Sequence, residues 1–192
     1  MENVIEDIYE EVKKRCMLPS NIFGPDDWNE HIKLVYEIAT KNSKLYKADY
    51  TIVALASLLH DIASITNKDY VEEHHIIGAQ IAEELLISYH LEQKQIELIK
   101  QCIINHRGSK LKPKNTPEEI CVADADAMAH FYSIPSLFKL VYVEKGMTID
   151  EGIDFIYNKL QRSYNKLSTL GKEIIKPQYK AALVLLKDSK NI

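Results

Sequence analysis

The chain has 192 residues, 46% hydrophobic and 27% charged, with 24 basic against 28 acidic residues and a net charge of -4. These proportions allow a packed core, and the charge balance excludes the broad basic surface that a nucleic-acid polymer requires. Cys16, Cys102 and Cys121 are widely spaced and odd in number, so a reducing, cytoplasmic interior is expected rather than a disulfide scaffold.

The charged opening, MENVIEDIYEEVKKRC, lacks the apolar run of an export signal. The longest apolar stretch, Ile52 to Leu59, is too short to span a bilayer. No membrane association is therefore expected. The first predicted helix runs from about Glu2 to Arg15, with Ile5, Ile8, Tyr9 and Val12 on one face. PSNIFGPDD reads as a loop, with Asp26 or Asp27 expected to cap the next helix. That second helix carries His31, Leu34, Val35 and Ile38 at the spacing of one buried stripe.

The third predicted helix, from about Tyr50 to Asp61, is apolar nearly all round and belongs at the centre of a domain. A fourth runs from near Val71 to about Ser88, with Ile77, Gly78, Ile81, Ala82 and Leu85 inward. Its small residues Gly78, Ala79 and Ala82 permit a close neighbour. The fifth spans about Leu91 to His106 and turns Ile96, Ile99, Ile103 and His106 inward. After the basic loop RGSKLKPKN, Thr116, Pro117 and Glu119 make a helix start of N-cap, first-turn proline and capping-box glutamate. The sixth helix carries EEICVADADAMAHF. Beyond Pro135 two or three more are expected. Thr148 and Glu151 open one of them, whose stripe is Ile149, Ile153, Ile156 and Leu160. No strand alternation and no repeat is present, so the fold class is all-α.

His60 and Asp61 end the most apolar helix, where an ionised carboxylate is costly without a cation. No Lys or Arg lies near them on that helix, and a divalent cation would satisfy both residues at once. His31 lies on an apolar stripe, His106 on another, and His74 or His75 at the start of a third. Five of the 7 histidines thus fall at helix ends or inward faces, and clusters of histidine and carboxylate are what transition metals select. Asp124 and Asp126 stand two apart on an apolar helix and point in different directions. One can reach the cluster, and the other can support it from behind. Arg107, Lys110, Lys112 and Lys114 follow His106 closely and are candidates for neutralising phosphate charge, as is Lys68 more weakly.

In this order and context the motifs resemble the HD superfamily of metal-dependent phosphohydrolases. WNEHIKLVYEIA resembles the family's first metal-histidine helix, and ALASLLHDIA its central helix ending in the HD dyad. EHHIIGAQIAEELL resembles the helix that follows, and CVADADAMA the helix supplying the last aspartate. The resemblance implies a helical bundle around a metal held by His31, His60, Asp61 and Asp126, with His60 and Asp61 catalytic and Asp124 in support. Residues 1–192 are then expected to form one domain. Its metal-binding core would span 28–131, with the C-terminal helices of 133–192 packed on it.

The ion implied is divalent (Mn, Mg, Fe, Co or Ni). In some HD subgroups, among them dinucleoside tetraphosphate hydrolases and HD-GYP cyclic-dinucleotide phosphodiesterases, two further histidines bind a second metal. His74 and His106 resemble those positions, with substrate phosphate as their other use. The glycine-rich signature of HD-GYP is absent, and the DADxxD pattern has Ala129 at its last aspartate, followed by His130. The implied reaction is hydrolysis of a phosphoester or phosphoanhydride in a small phosphorylated metabolite, a nucleotide or dinucleotide by preference, with an oligomer left open. The rivals are a di-iron oxygenase on the same scaffold and a non-catalytic HD binding module.

Overall fold

Apolar periodicity without strand alternation folds as expected into helices. The computed structural model describes residues 2–107 and 113–187 and contains no strand among them. The helices are α1 (Glu2–Cys16), α2 (Lys33–Tyr46), α3 (Tyr50–Leu59), α4 (Ile62–Thr66) and α5 (His74–Leu86). They continue with α6 (Gln93–His106), α7 (Pro117–Tyr132), α8 (Ile134–Phe138), α9 (Ile149–Lys166) and α10 (Thr169–Lys187). Two wide π-turns, Trp28–Ile32 and Lys139–Glu144, and two 3-10 turns, Lys68–Tyr70 and Ile87–Tyr89, lie between them. The chain divides into two compact units that meet in sequence between Asp126 and Ala127, inside α7.

In the first unit α3 is the axis. Every residue from Ile52 to Leu59 is buried, and α1, α2 and α6 all pack on it. Burying each large aliphatic there contributes roughly 1.5–3 kcal/mol, which is why this segment takes the centre. Asp49 caps it by accepting from the Ile52 N–H at 3.0 Å, and the buried Glu118 carboxylate accepts the Asp49 N–H at 2.9 Å.

In the first unit four boundaries and faces differ from the sequence reading. Asp27 does not cap with its side chain: its backbone is already helical (φ -54, ψ -30), and a π-turn rather than an α-helix carries His31. The third helix stops at Leu59, because Asp61 adopts φ -110, ψ 16 and redirects the chain into α4. The following helix starts at His74, since Asn67 accepts from Asp69 N and turns Lys68–Tyr70 into a 3-10 segment. On α5 the buried stripe is His75, Gly78, Ala79, Ala82 and Leu86, with Ile77, Ile81 and Leu85 half-buried. The close approach expected at Gly78 is present: a Cβ there would stand 3.5 Å from Ile103 and 3.6 Å from Ile62.

In the second unit Thr148 and Glu151 form the expected reciprocal cap of α9. The stripe is turned from the one expected, with Gly152, Ile156, Leu160 and Ser163 buried and Ile149 exposed. The Tyr142 ring is the reason. Its hydroxyl donates to the Ile149 carbonyl at 3.0 Å, and a Cβ on Gly152 would come within 2.3 Å of the ring. Tyr164 and Tyr179 stack at 3.7 Å between α9 and α10. His130 Nδ1 lies 3.2 Å from Ser163 Oγ.

Candidate metal centre

Five elements of the first unit meet at one place, and each delivers an imidazole or carboxylate there. His31 sits on the π-turn, anchored by the buried Trp28 and Ile32 on either side of it. Trp28 in turn meets Tyr9 of α1 edge-on at 4.7 Å. His60 is the C-cap residue immediately after α3 and is fully buried. Asp61 follows in the sparsely populated bridge region of backbone space, where active-site residues are often found. His74 opens α5, His106 closes α6 and Asp126 lies on α7.

Three of the imidazoles are aimed by the same local device. The Nδ1 of His60 bonds to the Ser57 carbonyl at 2.7 Å, that of His74 to Val71 at 2.7 Å and that of His106 to Ile103 at 2.6 Å. A carbonyl only accepts, so each Nδ1 carries a proton and each Nε2 faces the cluster. Fixing a ligating histidine through its other nitrogen is how protein metal sites set tautomer and orientation.

The inward atoms form two triads, His31 with His60 and Asp126, and Asp61 with His74 and His106. The ligand atoms of each triad lie within 4.8 Å of one another. Asp61 joins them: its Oδ2 is 3.4 Å from His31 Nε2 and 3.3 Å from His60 Nε2, while its Oδ1 is 3.5 Å from His74 Nε2 and 3.8 Å from His106 Nε2. Asp126 Oδ1 is 3.5 Å from His31 Nε2. His60 and His31 face each other Nε2 to Nε2 at 3.2 Å, as do His74 and His106 at 3.3 Å. Electron-rich nitrogens at that distance repel unless a proton or a cation lies between them. This donor set, nitrogen and oxygen with little sulfur or cationic competition, fits a divalent transition metal.

The metal-free electrostatics agree. Burial alone would lower the His60 pKa, but the adjacent Asp61 carboxylate raises it to about 9. Burial alone would raise Asp61, yet His60 and hydrogen bonds from His31 and His60 hold it well below the usual carboxylate range. Burial and the charge on His60 push His106 down to about 4. At neutral pH the metal-free protein therefore holds a proton on His60 that a metal must displace. Metal binding is expected to release about one proton through this group, and the apparent affinity to fall about tenfold per pH unit below about pH 9. Calorimetry in two buffers of different ionisation enthalpy measures the release; none at neutral pH would remove His60 from the ligand set.

The other candidates fall elsewhere. Asp124 is buried two residues before Asp126, and its Oδ2 accepts from the Tyr46 hydroxyl at 2.8 Å. Between His74 and His75, geometry selects His74; His75 is buried on the α5 stripe, outside both triads. The Arg107 guanidinium is engaged by the Glu72 carbonyl, with the Glu72 carboxylate 3.8 Å away. It therefore ties the end of α6 to the segment before His74. Lys110 and Lys112 lie outside the described residues. Lys114 is half-buried ahead of α7, and Lys68 is exposed on its 3-10 turn. Sequence reasoning did not find the Glu119 carboxylate, which is buried and accepts from Asn105 Nδ2 at 2.5 Å. It joins the residue before His106 to the first turn of α7. The only signal was its place as the capping-box glutamate, whose backbone N–H donates to the N-cap Thr116 Oγ1 at 3.2 Å.

Comparison with known proteins matches residues 28–130 to the model of the HD domain. An uncharacterized protein of Clostridium beijerinckii is 34% identical over 59 residues, 31% of this chain and only 38% of that protein's length. An HD-superfamily hydrolase from Bacillus thuringiensis superposes with a TM-score of 0.77 at 19% identity, over 98% of this chain and 96% of that one. Bacillus subtilis YpgQ in complex with ADP superposes with a TM-score of 0.73 at 16% identity, over 97% and 96%. At such identities what is shared is the fold.

Proposed function

We propose, from the premise that this chain belongs to the HD domain family, that it is a metal-dependent phosphohydrolase acting on a small phosphorylated metabolite, a nucleotide by preference. The observation that carries the reading is the pair of triads joined by both oxygens of Asp61. The ADP bound by YpgQ supports the nucleotide preference for a chain of this fold.

His31, His60, Asp61 and Asp126 would hold the first ion, with His74 and His106 sharing Asp61 toward a second. A bound divalent ion supplies Lewis-acid stabilisation of a phosphoryl oxygen and a water acidified to near neutrality. The chain's own part is orientation. The backbone carbonyls of Ser57, Val71 and Ile103 hold the Nδ1 proton of three imidazoles and aim each Nε2 at the cluster, so little reorganisation is needed at the moment of reaction. Asp61, whose two oxygens both face imidazoles and which accepts hydrogen bonds from His31 and His60, stays ionised across the physiological range.

The test is a screen of the metal-loaded protein against nucleotides, dinucleoside polyphosphates and sugar phosphates, with phosphate release abolished by a chelator. Full metal occupancy without hydrolysis of any class would overturn the reading. Two irons in the same donor set would instead support dioxygen chemistry, and oxygen consumption with the iron-loaded protein distinguishes that activity.

A second measurement asks what His74 and His106 do. If they hold a second ion, His74→Ala and His106→Ala should lower the metal-to-protein ratio from about two to about one. If they contact substrate phosphate, metal content should stay constant while KM rises. Wild-type metal content together with wild-type kinetics in both variants would remove these residues from the site.

A further inference from the structure

Asp27 stands immediately before the π-turn that carries His31, with its backbone already helical. Four residues separate the two, so their side chains share a face. An aspartate at a helix start ordinarily accepts a backbone N–H two or three residues on. Asp27 makes no such bond, and its carboxylate has no hydrogen bond or ion pair among the described residues. It is nevertheless half-buried.

The charged groups around it are His31 and Glu30 from the π-turn and His60 and Asp61 from the α3–α4 junction. The buried Cys16 thiol of α1 also lies near it. A carboxylate drawn partly out of water, with no hydrogen bond or close ion pair to offset that cost, is unfavourable in a purely structural position. Such groups gather at functional clefts because their proton affinity can be used there. Burial raises the pKa of Asp27 above the ordinary carboxylate value, and Asp61 and Glu30 add to this against the opposing pull of His31 and His60. Asp61 has the reverse character. Both its oxygens face imidazoles, and it binds a proton poorly.

Within the hydrolytic reading, on which this rests, we propose that Asp27 is the proton acceptor of the reaction. As a water oxygen bonds to phosphorus, the bond from phosphorus to the leaving oxygen breaks. One proton of that water passes to the Asp27 carboxylate, and the leaving group departs with the bonding electron pair. Asp27 then returns its proton to solvent. In this division of work Asp61 and Asp126 hold charge in place, and the carboxylate one turn before His31 moves the proton.

The test compares wild type, Asp27→Asn and Asp27→Glu, each loaded with Mn²⁺, using bis(p-nitrophenyl) phosphate as the probe. Its p-nitrophenolate leaving group needs no protonation, so proton acceptance from water is isolated. Asp27→Asn should lose on the order of 10²–10⁴-fold in kcat, with KM and Mn²⁺ affinity unchanged and the acid limb of the kcat–pH profile flattened. Asp27→Glu should recover part of the rate and the limb. The Tm of Asp27→Asn should stay level or rise, because a partly desolvated charge without a hydrogen bond has been removed.

Wild-type kcat and pH profile in Asp27→Asn would overturn the proposal. So would a parallel loss of Mn²⁺ affinity, which would make Asp27 a ligand, or a lowered Tm in both variants, which would make it structural. A Mn²⁺-loaded wild type that hydrolyses neither this probe nor any nucleotide would overturn the hydrolytic reading together with the proposal. An active wild type with an unaltered Asp27→Asn would overturn the proposal alone.

Discussion

Replacing Asp61 with alanine is expected to give a folded protein that binds little or no metal and hydrolyses no phosphate ester measurably. Among the described residues Asp61 is the one side chain whose two oxygens face both triads, Oδ2 toward His31 and His60 and Oδ1 toward His74 and His106. Its removal takes the negative charge and the shared oxygens from among four imidazoles, so the nitrogens that remain hold a cation far more weakly. Metal assistance accounts for several kcal/mol of transition-state stabilisation. At about 1.36 kcal/mol per factor of ten, the loss should be on the order of 10³-fold or more. Metal analysis of the purified variant and initial rates with saturating added metal measure the two effects separately. Full occupancy in both Asp61→Ala and His60→Ala would mean that the metal is bound elsewhere. The sign on stability is also fixed. Asp61 is held below its ordinary value, so in the metal-free protein it contributes stability at neutral pH that is lost as pH falls through the depressed value.

The second large effect separates two aspartates on one helix. Asp126→Ala should abolish metal-dependent hydrolysis, whereas Asp124→Ala should reduce it by about 10–100-fold. Asp126 Oδ1 reaches toward His31 Nε2 at 3.5 Å. Asp124 points to α2, where it takes the Tyr46 hydroxyl at 2.8 Å. The turn of α7 before Asp126 carries Cys121, Val122, Ala123 and Ala125, all small or featureless and all buried, so it is buried nearly all round. Such a turn distinguishes poorly between rotations about the helix axis. Buried carboxylates with specific partners do so better, and Glu118, Glu119 and Asp124 each have one on a different segment. Loss of Asp124 therefore loosens the setting of Asp126 without deleting a donor. Tyr46→Phe should reproduce a smaller part of the same loss. An inactive Asp124→Ala beside an active Asp126→Ala would reverse the assignment.

The amino-acid pattern by itself determined the all-helical class, the central place of Ile52 to Leu59 and the membership of the HD family. Those properties follow from apolar spacing and from motif context, both local in the chain. The pattern also placed candidate donors on separate helices, because a histidine on an apolar stripe and a carboxylate at the end of a buried helix are conspicuous without any fold. Tertiary structure decided what local spacing cannot express. It sorted the six donors into two triads with Asp61 between them, selected His74 over His75 by the Val71 carbonyl, and engaged Arg107 with Glu72. It also turned the α5 and α9 stripes through the packing of Ile62, Ile103 and Tyr142. Apart from the local contacts of Val71 with His74 and of Tyr142 with the start of α9, these are outcomes of contacts between residues tens of positions apart, where a rotation of one residue about a helix axis changes the partner while leaving the hydrophobic period intact. Asp27 shows the difference most directly. In the sequence it reads as a helix cap, and only a backbone already helical at that position leaves its carboxylate without the cap bond and close to His31, His60 and Asp61.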